Sequence, residues 1–479
     1  MISSAPGGRW RRLFATLLGL QFALAATASA DEPWAERTAA LGAISVMPSG
    51  VLPKDELERL IDIGEALFRA NFTTLDGVGR PQATQAIDPT RRKHPRAQMF
   101  FRTAGPDAGS CAACHNQPAI GGAGDFVANV FTSEGFESAD FDSLDPQFSS
   151  ERGTNHLFGA GLIELLAREM SHDLHTIRSK ALARARAEGA AVRLALQTKG
   201  VAFGHITAEP DGSVNLDELD GLDTDLVIRP FSQKGVMTSL RQFTVNALNH
   251  HHGMQSDERY GARWTGSDDF DGDGTFAEIS TGDVSALVAW QATLRAPVRV
   301  VPDIEGWAEA AERGEAAFTD LGCASCHRPA LPLDSLSFAD PGPLDLAGTL
   351  NDRQVSDTAI YDIALLDWAA DLPRDAAGRV LVPLYGDLKR YVMTDSQIDA
   401  LGNELLSQRF VDRNIFQTAE LWGVGSTQPY GHRNDFSSLH DIILAHGGAG
   451  RSARDAYAAA SDSEKSALIA FLKTLVILP

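Results

Sequence analysis

The sequence predicts a mainly α-helical protein in which one structural plan occurs twice. Helix-like apolar patterns outnumber alternating ones, the pattern C-x-x-C-H occurs at residues 111–115 and again at 323–327, and similar segments flank both copies. The chain has 479 residues, of which 44% are hydrophobic. That length allows about two to four domains, and the composition allows a buried core.

The first thirty residues are typical of a cleavable signal peptide. A basic stretch at residues 9–12 precedes an uncharged apolar segment at 13–26, and residues 28–30 (Ala-Ser-Ala) match the small-residue cleavage pattern. The apolar segment is shorter than the ~18 residues that a membrane-spanning helix needs. We therefore expect residues 1–30 to be removed and the mature protein to be periplasmic and not membrane-spanning. An uncleaved anchor is the alternative.

Each copy of the plan is expected to begin and end with a helix. Residues 64–68 and 314–318 read Gly-Glu-Ala-Leu-Phe and Gly-Glu-Ala-Ala-Phe, and each closes a helical pattern before its C-x-x-C-H. Residues 283–294 and 464–475 are identical at six of twelve positions. Both of these closing segments follow a helix-start signal, formed by Ser280 with Asp283 and by Ser461 with Glu464.

The first copy is the longer one. It carries an inserted arm at roughly residues 134–230, in which residues 180–199 predict one helix rich in Ala, Leu and Arg. Residues 295–302 contain two prolines and no helical period, so we expect a semi-rigid linker there. The predicted domains are residues 31–297 and residues 298–479.

The two C-x-x-C-H segments predict covalent attachment of haem. Two thiols at this spacing can each add to one vinyl group of a porphyrin, and the adjacent histidine then reaches the iron as the proximal ligand. A zinc site or a disulfide is the alternative, but neither needs a histidine directly after the second cysteine. We expect two cytochrome c-like domains with long loops and two haem c groups, held by Cys111, Cys114, His115, Cys323, Cys326 and His327.

Further segments resemble a known family. The chain is similar to di-haem c-type oxidoreductases of the thiol oxidoreductase family, relatives of bacterial di-haem cytochrome c peroxidases and of the di-haem enzyme that matures a tryptophylquinone cofactor. The resemblance extends over most of residues 57–475 and implies a di-haem oxidoreductase. It is carried by residues 111–118, 121–124, 157–164, 418–423, 429–432 and 443–448.

The resemblance implies axial ligands as well. His446 lies where the peroxidase relatives place a methionine ligand, so we expect it to bind the second iron, with Met393 and His432 as alternatives. For the first iron, the internal repeat aligns His252 with His446. Any histidine of the run at residues 250–252 is a candidate for this position, and a metal-binding or solvated loop is the alternative.

Two residues are candidates for catalysis at the first haem. By the resemblance, Gln242 stands where relatives carry a glutamate used in peroxide chemistry. A carboxylic acid can transfer a proton, whereas an amide can only form hydrogen bonds. Glu164 is the alternative acid, and a structural role in its helix is equally compatible with the sequence.

An acidic segment predicts a calcium site. Asp269, Asp271 and Asp273 occupy positions 1, 3 and 5 of a calcium-loop pattern, with glycine at position 6. Position 12 is Ser280 rather than glutamate, so an EF-hand is not supported, and Glu278 or Asp283 would have to complete the site. A solvated acidic turn is the alternative.

Charge and motifs together limit the function. The formal charge of −21 disfavours nucleic acid and anionic membrane surfaces as partners. We expect a periplasmic, peroxidase-like oxidoreductase that reduces a small-molecule oxidant at the first haem. The second haem would relay electrons from a small periplasmic electron-transfer protein. The alternative is a di-haem cytochrome c that only transfers electrons.

Overall fold

The computed structural model describes residues 46–79, 91, 109–132, 149–403 and 411–478, and the predicted signal peptide lies outside them. Within these ranges none of the helices has both the length and the apolar character to cross a membrane. The α-helices are α1 Lys54–Arg69, α2 Cys111–Cys114, α3 Ala160–Glu188, α4 Leu240–Ala247, α5 Asp257–Tyr260, α6 Ala262–Thr265, α7 Thr281–Thr293, α8 Trp307–Asp320, α9 Leu439–Leu444, α10 Arg451–Ala459 and α11 Asp462–Leu472.

The strands are short and form small sheets. In the described ranges, two sheets have three strands, β1–β10–β9 and β4–β5–β6, and the others are pairs. The strands are β1 Gly50–Val51, β2 Val127–Thr132, β3 Ser149–Gly153, β4 Val192–Thr198, β5 Val201–Ala208, β6 Val214–Asn215, β7 Val298–Arg299, β8 Leu331–Leu333, β9 Ser337–Asp340, β10 Ala359–Asp362, β11 Val380–Val382, β12 Arg390–Val392, β13 Ile415–Gln417 and β14 Leu475–Val476.

Two helix pairs repeat one packing contact. Gly64 of α1 lies against the carbonyl oxygen of Ala286 in α7, where any added Cβ would clash. Gly314 of α8 lies in the same way against the carbonyl oxygen of Ala467 in α11. Only glycine permits so close an approach of two backbones. The paired segments recognised in the sequence are therefore a repeat of structure as well.

Both closing helices begin where the sequence predicts. The side chain of Ser280 accepts a hydrogen bond from the backbone N–H of Asp283, and the Asp283 carboxylate bonds back to the backbone of Ser280. Ser461 and Glu464 form the same reciprocal pair at the start of α11. Each capping box satisfies two backbone donors that the first helical turn leaves without partners.

The prediction of a single helix at residues 180–199 is wrong for its second half. Helix α3 ends at Glu188, because Gly189 adopts a left-handed conformation with φ of +64° and so terminates the helix. The chain then turns into β4, whose side chains alternate between buried and exposed positions. This strand pairs with β5 in an antiparallel hairpin, so this part of the chain contains a sheet that the composition of the segment concealed.

The predicted linker is hydrogen-bonded to a strand near residue 475. Within it, β7 pairs with β14, which directly follows α11. Other contacts also join distant parts of the sequence: β1 pairs with β10, and the guanidinium of Arg168 in α3 donates to the carbonyl of Ala339 at 2.7 Å.

Candidate functional site

Both C-x-x-C-H segments line one continuous cavity of about 1200 Å³. Pockets for a single drug-sized ligand are usually about 300–1,000 Å³, so this cavity is larger than one such ligand requires. Helices α1, α4, α8, α9 and α11 contribute to its wall. The cavity therefore joins the two motifs that the sequence separates by about two hundred residues.

The first motif is held by a helix cap. Ser110 accepts a hydrogen bond from the backbone N–H of Ala112, which starts the single turn of α2, and its hydroxyl donates to the carbonyl of Phe68 at 3.2 Å. His115 then leaves the turn, and its Nδ1 donates to the carbonyl of Gly122 at 3.3 Å. Burial lowers the pKa of His115 to about 4, so its imidazole is neutral and the Nε2 lone pair can bind a metal.

The second motif repeats this arrangement with different partners. Nδ1 of His327 lies 3.0 Å from the carbonyl oxygen of Ala419 and 3.3 Å from that of Tyr385. Burial is the largest effect on its pKa, which falls to about 4. A buried phenylalanine accompanies each histidine: Phe68 lies 5.9 Å from His115 and Phe318 lies 6.5 Å from His327, measured between ring centres.

His446 lies opposite His327 across a gap suited to an iron. Their ring centres are 6.5 Å apart, and the planes are inclined by 62°. Metal–imidazole bonds are about 2 Å long, so two imidazoles on opposite sides of one metal have ring centres about 6 Å apart. Nδ1 of His446 donates to the carbonyl of Ile442 at 2.8 Å, which leaves Nε2 as the metal-binding nitrogen.

The two alternatives to His446 occupy other positions. Met393 lines the cavity close to His446, since its Cε and the His446 ring both lie within 3.3 Å of the Cβ position of Gly450. His432 packs on the ring of Phe416, with ring centres 4.5 Å apart. Burial and the neighbouring positive charge of Arg152 lower the pKa of His432 to about 3.

The three histidines near the first motif differ in what they contact. All three line the cavity and lie in a π-helical turn, Leu248–His252. Nε2 of His252 lies 3.7 Å from Sγ of Cys111. His251 is instead close enough to His115 for its charge to lower the pKa of His115. Both His251 and His252 therefore remain candidates for the position opposite His115. The π-turn adds a residue per turn, so the sequence alignment of the two histidine segments does not by itself select one of them.

Gln242 and Glu164 differ in their access to the cavity. Gln242 lines the cavity, and its side-chain oxygen accepts from Thr238, at 2.7 Å from the backbone nitrogen and 2.9 Å from the hydroxyl. Glu164 is fully buried and is not among the described residues that line the cavity. It pairs with Arg168 and accepts from the backbone N–H of Leu240 at 2.7 Å, so its contacts organise the start of α4.

Two buried polar groups at the cavity belong to the segment 418–423, for which the sequence predicts no catalytic or binding role. The indole Nε1 of Trp422 and Oε1 of Glu420 are buried without a hydrogen-bond partner, and both residues line the cavity. Burial raises the pKa of Glu420 to about 7. In the sequence, the available signal for this site was a glutamate next to apolar residues and a tryptophan. The spacing of these residues does not distinguish a functional glutamate from a structural one.

Cationic side chains complete the lining. Arg152, Arg259 and Arg454 all reach the cavity, where guanidinium groups can pair with carboxylates. Haem carries two propionate carboxylates, so an apolar cavity with a few arginines fits the group. The thiols, the neutral imidazoles and these cations are together the donor set that two haems require.

The three aspartates of the predicted calcium loop are brought together. Ligand oxygens of Asp269, Asp271 and Asp273 lie within 4.8 Å of one another. This cluster is formed by the loop between α6 and α7 and is separate from the cavity lining.

The chain has a solved structural neighbour at low sequence identity. No protein-family model matches the chain, and no curated protein matches it. A solved structure described as a MauG-like protein associated with microbial copper homeostasis is 15% identical over 57% of this chain and 78% of that chain, with a TM-score of 0.28. That TM-score is too low to equate the two folds, so the functional interpretation depends on the residues of the site.

Proposed function

We propose that the protein is a di-haem c-type oxidoreductase of the periplasm, in which the first haem reduces a small oxidant such as a peroxide and the second relays electrons. The observation that carries this proposal is that both C-x-x-C-H segments line one cavity, each with a neutral histidine whose Nδ1 is bonded to a backbone carbonyl. When bound, the haems supply one-electron redox chemistry.

The cysteines favour haem attachment over thiol chemistry. Burial, with a smaller effect of Cys114, raises the pKa of Cys111 to about 12, and burial raises that of Cys323 to about 11. Redox-active cysteines have lowered pKa values, because the thiolate is the reactive form. Buried thiols that stay protonated are instead suited to permanent attachment of a cofactor.

The two sites differ in the anchoring of the opposing histidine. His446 is oriented by the hydrogen bond from its Nδ1 to Ile442, whereas the buried Nδ1 of His251 has no hydrogen-bond partner. Hydrogen bonds of this kind fix the orientation of metal-binding histidines. We therefore assign electron relay to the second site, with a fixed pair of histidines, and reaction with the oxidant to the first.

Gln242 is placed to orient the oxidant. Because Thr238 holds the side-chain oxygen, only the NH2 group of this amide can contact a ligand in the cavity, and it can only donate a hydrogen bond. Proton transfer must then come from another group. Burial raises the pKa of Glu164 to about 7, so its side chain can hold a proton near neutral pH, one layer behind Gln242.

Pure electron transfer is the second candidate function. It is favoured by one specific observation, that each proximal histidine has another histidine nearby, His251 for the first motif and His446 for the second. If both pairs hold an iron permanently, neither haem has an open face. A small electron-transfer protein would be the partner in either case.

Haem stoichiometry and ligand binding test the proposal. We expect the mature protein to carry the mass of two haems under denaturing conditions. A double Cys323→Ser/Cys326→Ser variant should carry one, and Ser325→Ala, in the exposed part of the same motif, should keep both. We also expect one haem to bind cyanide or carbon monoxide and peroxide to be reduced. A protein with two low-spin haems that binds neither ligand would support the electron-transfer alternative.

A further inference from the structure

A fourth carboxylate joins the three aspartates of the acidic loop. The pKa of Glu278 is raised well above its ordinary value, first by burial and then by the charge of Asp271, with smaller effects of Asp273 and Asp269. Its other neighbour is the backbone, since Oε2 accepts from the N–H of Gln255 at 2.6 Å. Glu278 therefore lies near the three aspartates, and the hydrogen bond to Gln255 fixes one of its two oxygens.

One carboxylate oxygen in this cluster is buried without a partner. Asp271 is 0% exposed, and its Oδ2 makes no hydrogen bond. A buried carboxylate is costly unless it is paired or binds a metal. The unpartnered oxygen belongs to a residue whose ligand oxygen lies within 4.8 Å of those of Asp269 and Asp273, which is an arrangement that suits a cation.

The backbone of the acidic loop is already folded around these carboxylates. The carboxylate of Asp269 accepts from the backbone N–H groups of Gly272, Asp273 and Gly274 at 2.7, 3.1 and 3.2 Å. Gly274 adopts a φ of +95°, a value that favours glycine and produces the sharp turn of a calcium loop at its sixth position. The backbone thus holds the aspartates together in spite of their mutual repulsion.

We propose that Asp269, Asp271, Asp273 and Glu278 bind one calcium ion. The donors are all oxygens, and several carboxylates in a flexible arrangement are what Ca²⁺ prefers, whereas Mg²⁺ retains several waters and needs nearly octahedral geometry. The site is not an EF-hand, because the closing acid is at position 10 of the loop rather than position 12. This inference is independent of the proposed redox function.

The position of the site gives the ion a structural role. Glu278 lies just before Ser280, the cap of α7, and it is bonded to Gln255, which follows the histidine segment by three residues. Backbone bonding continues this link, since the N–H of Asp257 donates to the carbonyl of Ile279 at 2.9 Å. A bound cation would therefore brace the histidine segment against the start of α7.

Calcium binding to the mature haem-loaded protein tests the proposal. After treatment with EGTA and its removal, titration with calcium chloride should show one ion per chain. At about 100 times the Kd the melting temperature should rise by about 3 °C, because a ligand that binds only the native state stabilises it. Failure to bind calcium, or equally strong binding of magnesium, would overturn the assignment.

Three variants identify the ligands. Asp271→Asn should weaken calcium binding by about tenfold or more, yet it should melt no lower than the unmodified protein without calcium, because it removes a repelling charge. Asp268→Asn makes the same change at an exposed neighbour and should bind calcium normally. If Asp271→Asn does not fold, Glu278→Gln provides the same comparison, because Glu278 is only half-buried. Unchanged calcium affinity in the ligand variants would refute the site.

Discussion

The rings of His327 and His446 lie with their centres 6.5 Å apart and their planes inclined by 62°, although 119 positions separate them in the sequence. Each is fixed from behind, His327 by the carbonyls of Ala419 and Tyr385 and His446 by that of Ile442. Two anchored, neutral imidazoles with free Nε2 atoms are suited to hold one iron without rearrangement. The second site is therefore expected to be permanently six-coordinate.

His446→Met tests this ligand directly. A thioether in place of imidazole raises a haem potential, so we expect the second haem to remain low-spin with a potential higher by on the order of 0.1 V, within the ~0.8 V range that axial ligands span. Redox titration followed by absorption spectroscopy measures the shift. His432→Met, at the alternative histidine, should leave both potentials unchanged. An unshifted potential in His446→Met would exclude His446 as the ligand.

The sequence was sufficient for those features that depend on local chemistry. The starts of α7 and α11 are readable because a capping box acts over four residues, whereas haem attachment at the two C-x-x-C-H segments stays a prediction. The repeated glycines also proved informative, since Gly64 and Gly314 make equivalent contacts. The capping boxes are determined by residues close together in the chain, whereas the glycine contacts join distant helices and were readable only because the segment around each glycine occurs twice.

Features that depend on distant contacts were not readable. Strand β4 was predicted as helix, because the alanine- and arginine-rich composition concealed the stop at Gly189. The position of His251 depends on a π-turn, which sequence alignment of the two repeats does not reveal. Whether Glu164 reaches the cavity depends on its pairing with Arg168 and Leu240. Such pairings are decided by tertiary structure.

The close approach of α8 and α11 predicts a sensitive position. In Gly314→Ala the new Cβ would clash with the Ala467 carbonyl and lie 2.8 Å from the Cβ of Phe471. Forcing extra atoms into a packed contact costs about 1–3 kcal/mol, so thermal or urea unfolding should show a loss of this size or larger. Gly386→Ala adds a Cβ at ordinary contact distances of 3.5–3.7 Å and should be nearly neutral. Equal stabilities for these two variants would contradict the repeat contact.

At acidic pH we expect the segment next to His446 to be less stable, because the Asp395 carboxylate becomes protonated. Hydrogen bonds from the backbone N–H groups of Gln397, Ile398 and Gly448 lower the pKa of Asp395 to about 2. Because this value lies below the unfolded pKa of 3.8, the stabilisation is present above pH 3.8 and is lost as the pH falls through about 2. Melting temperatures measured between pH 5 and pH 2 should therefore fall less steeply for Asp395→Asn. Asp435→Asn is the control at an exposed site, and an identical slope in Asp395→Asn would contradict this role.

Gln242→Glu tests which residue limits peroxide reduction. The amide of Gln242 reaches the cavity but cannot transfer a proton, and a carboxylic acid at the same place can do so. General acid–base catalysis contributes about 10²–10⁴-fold, so we expect this variant to reduce hydrogen peroxide at least about tenfold faster, with a reduced small cytochrome as electron donor. Gln242→Leu should lower turnover, because it removes the donor that orients the oxidant.

Glu164→Gln is the matched comparison for this variant. Because Glu164 is buried behind the cavity wall and paired with Arg168, its replacement should lower stability, since an arginine would remain without its carboxylate. A group that merely positions α4 should leave the pH profile of turnover unchanged. If turnover in Glu164→Gln instead falls by more than about a hundredfold in a stably folded protein, the proton comes from Glu164. Gln242→Glu would then give little gain, because an acid already serves the first haem.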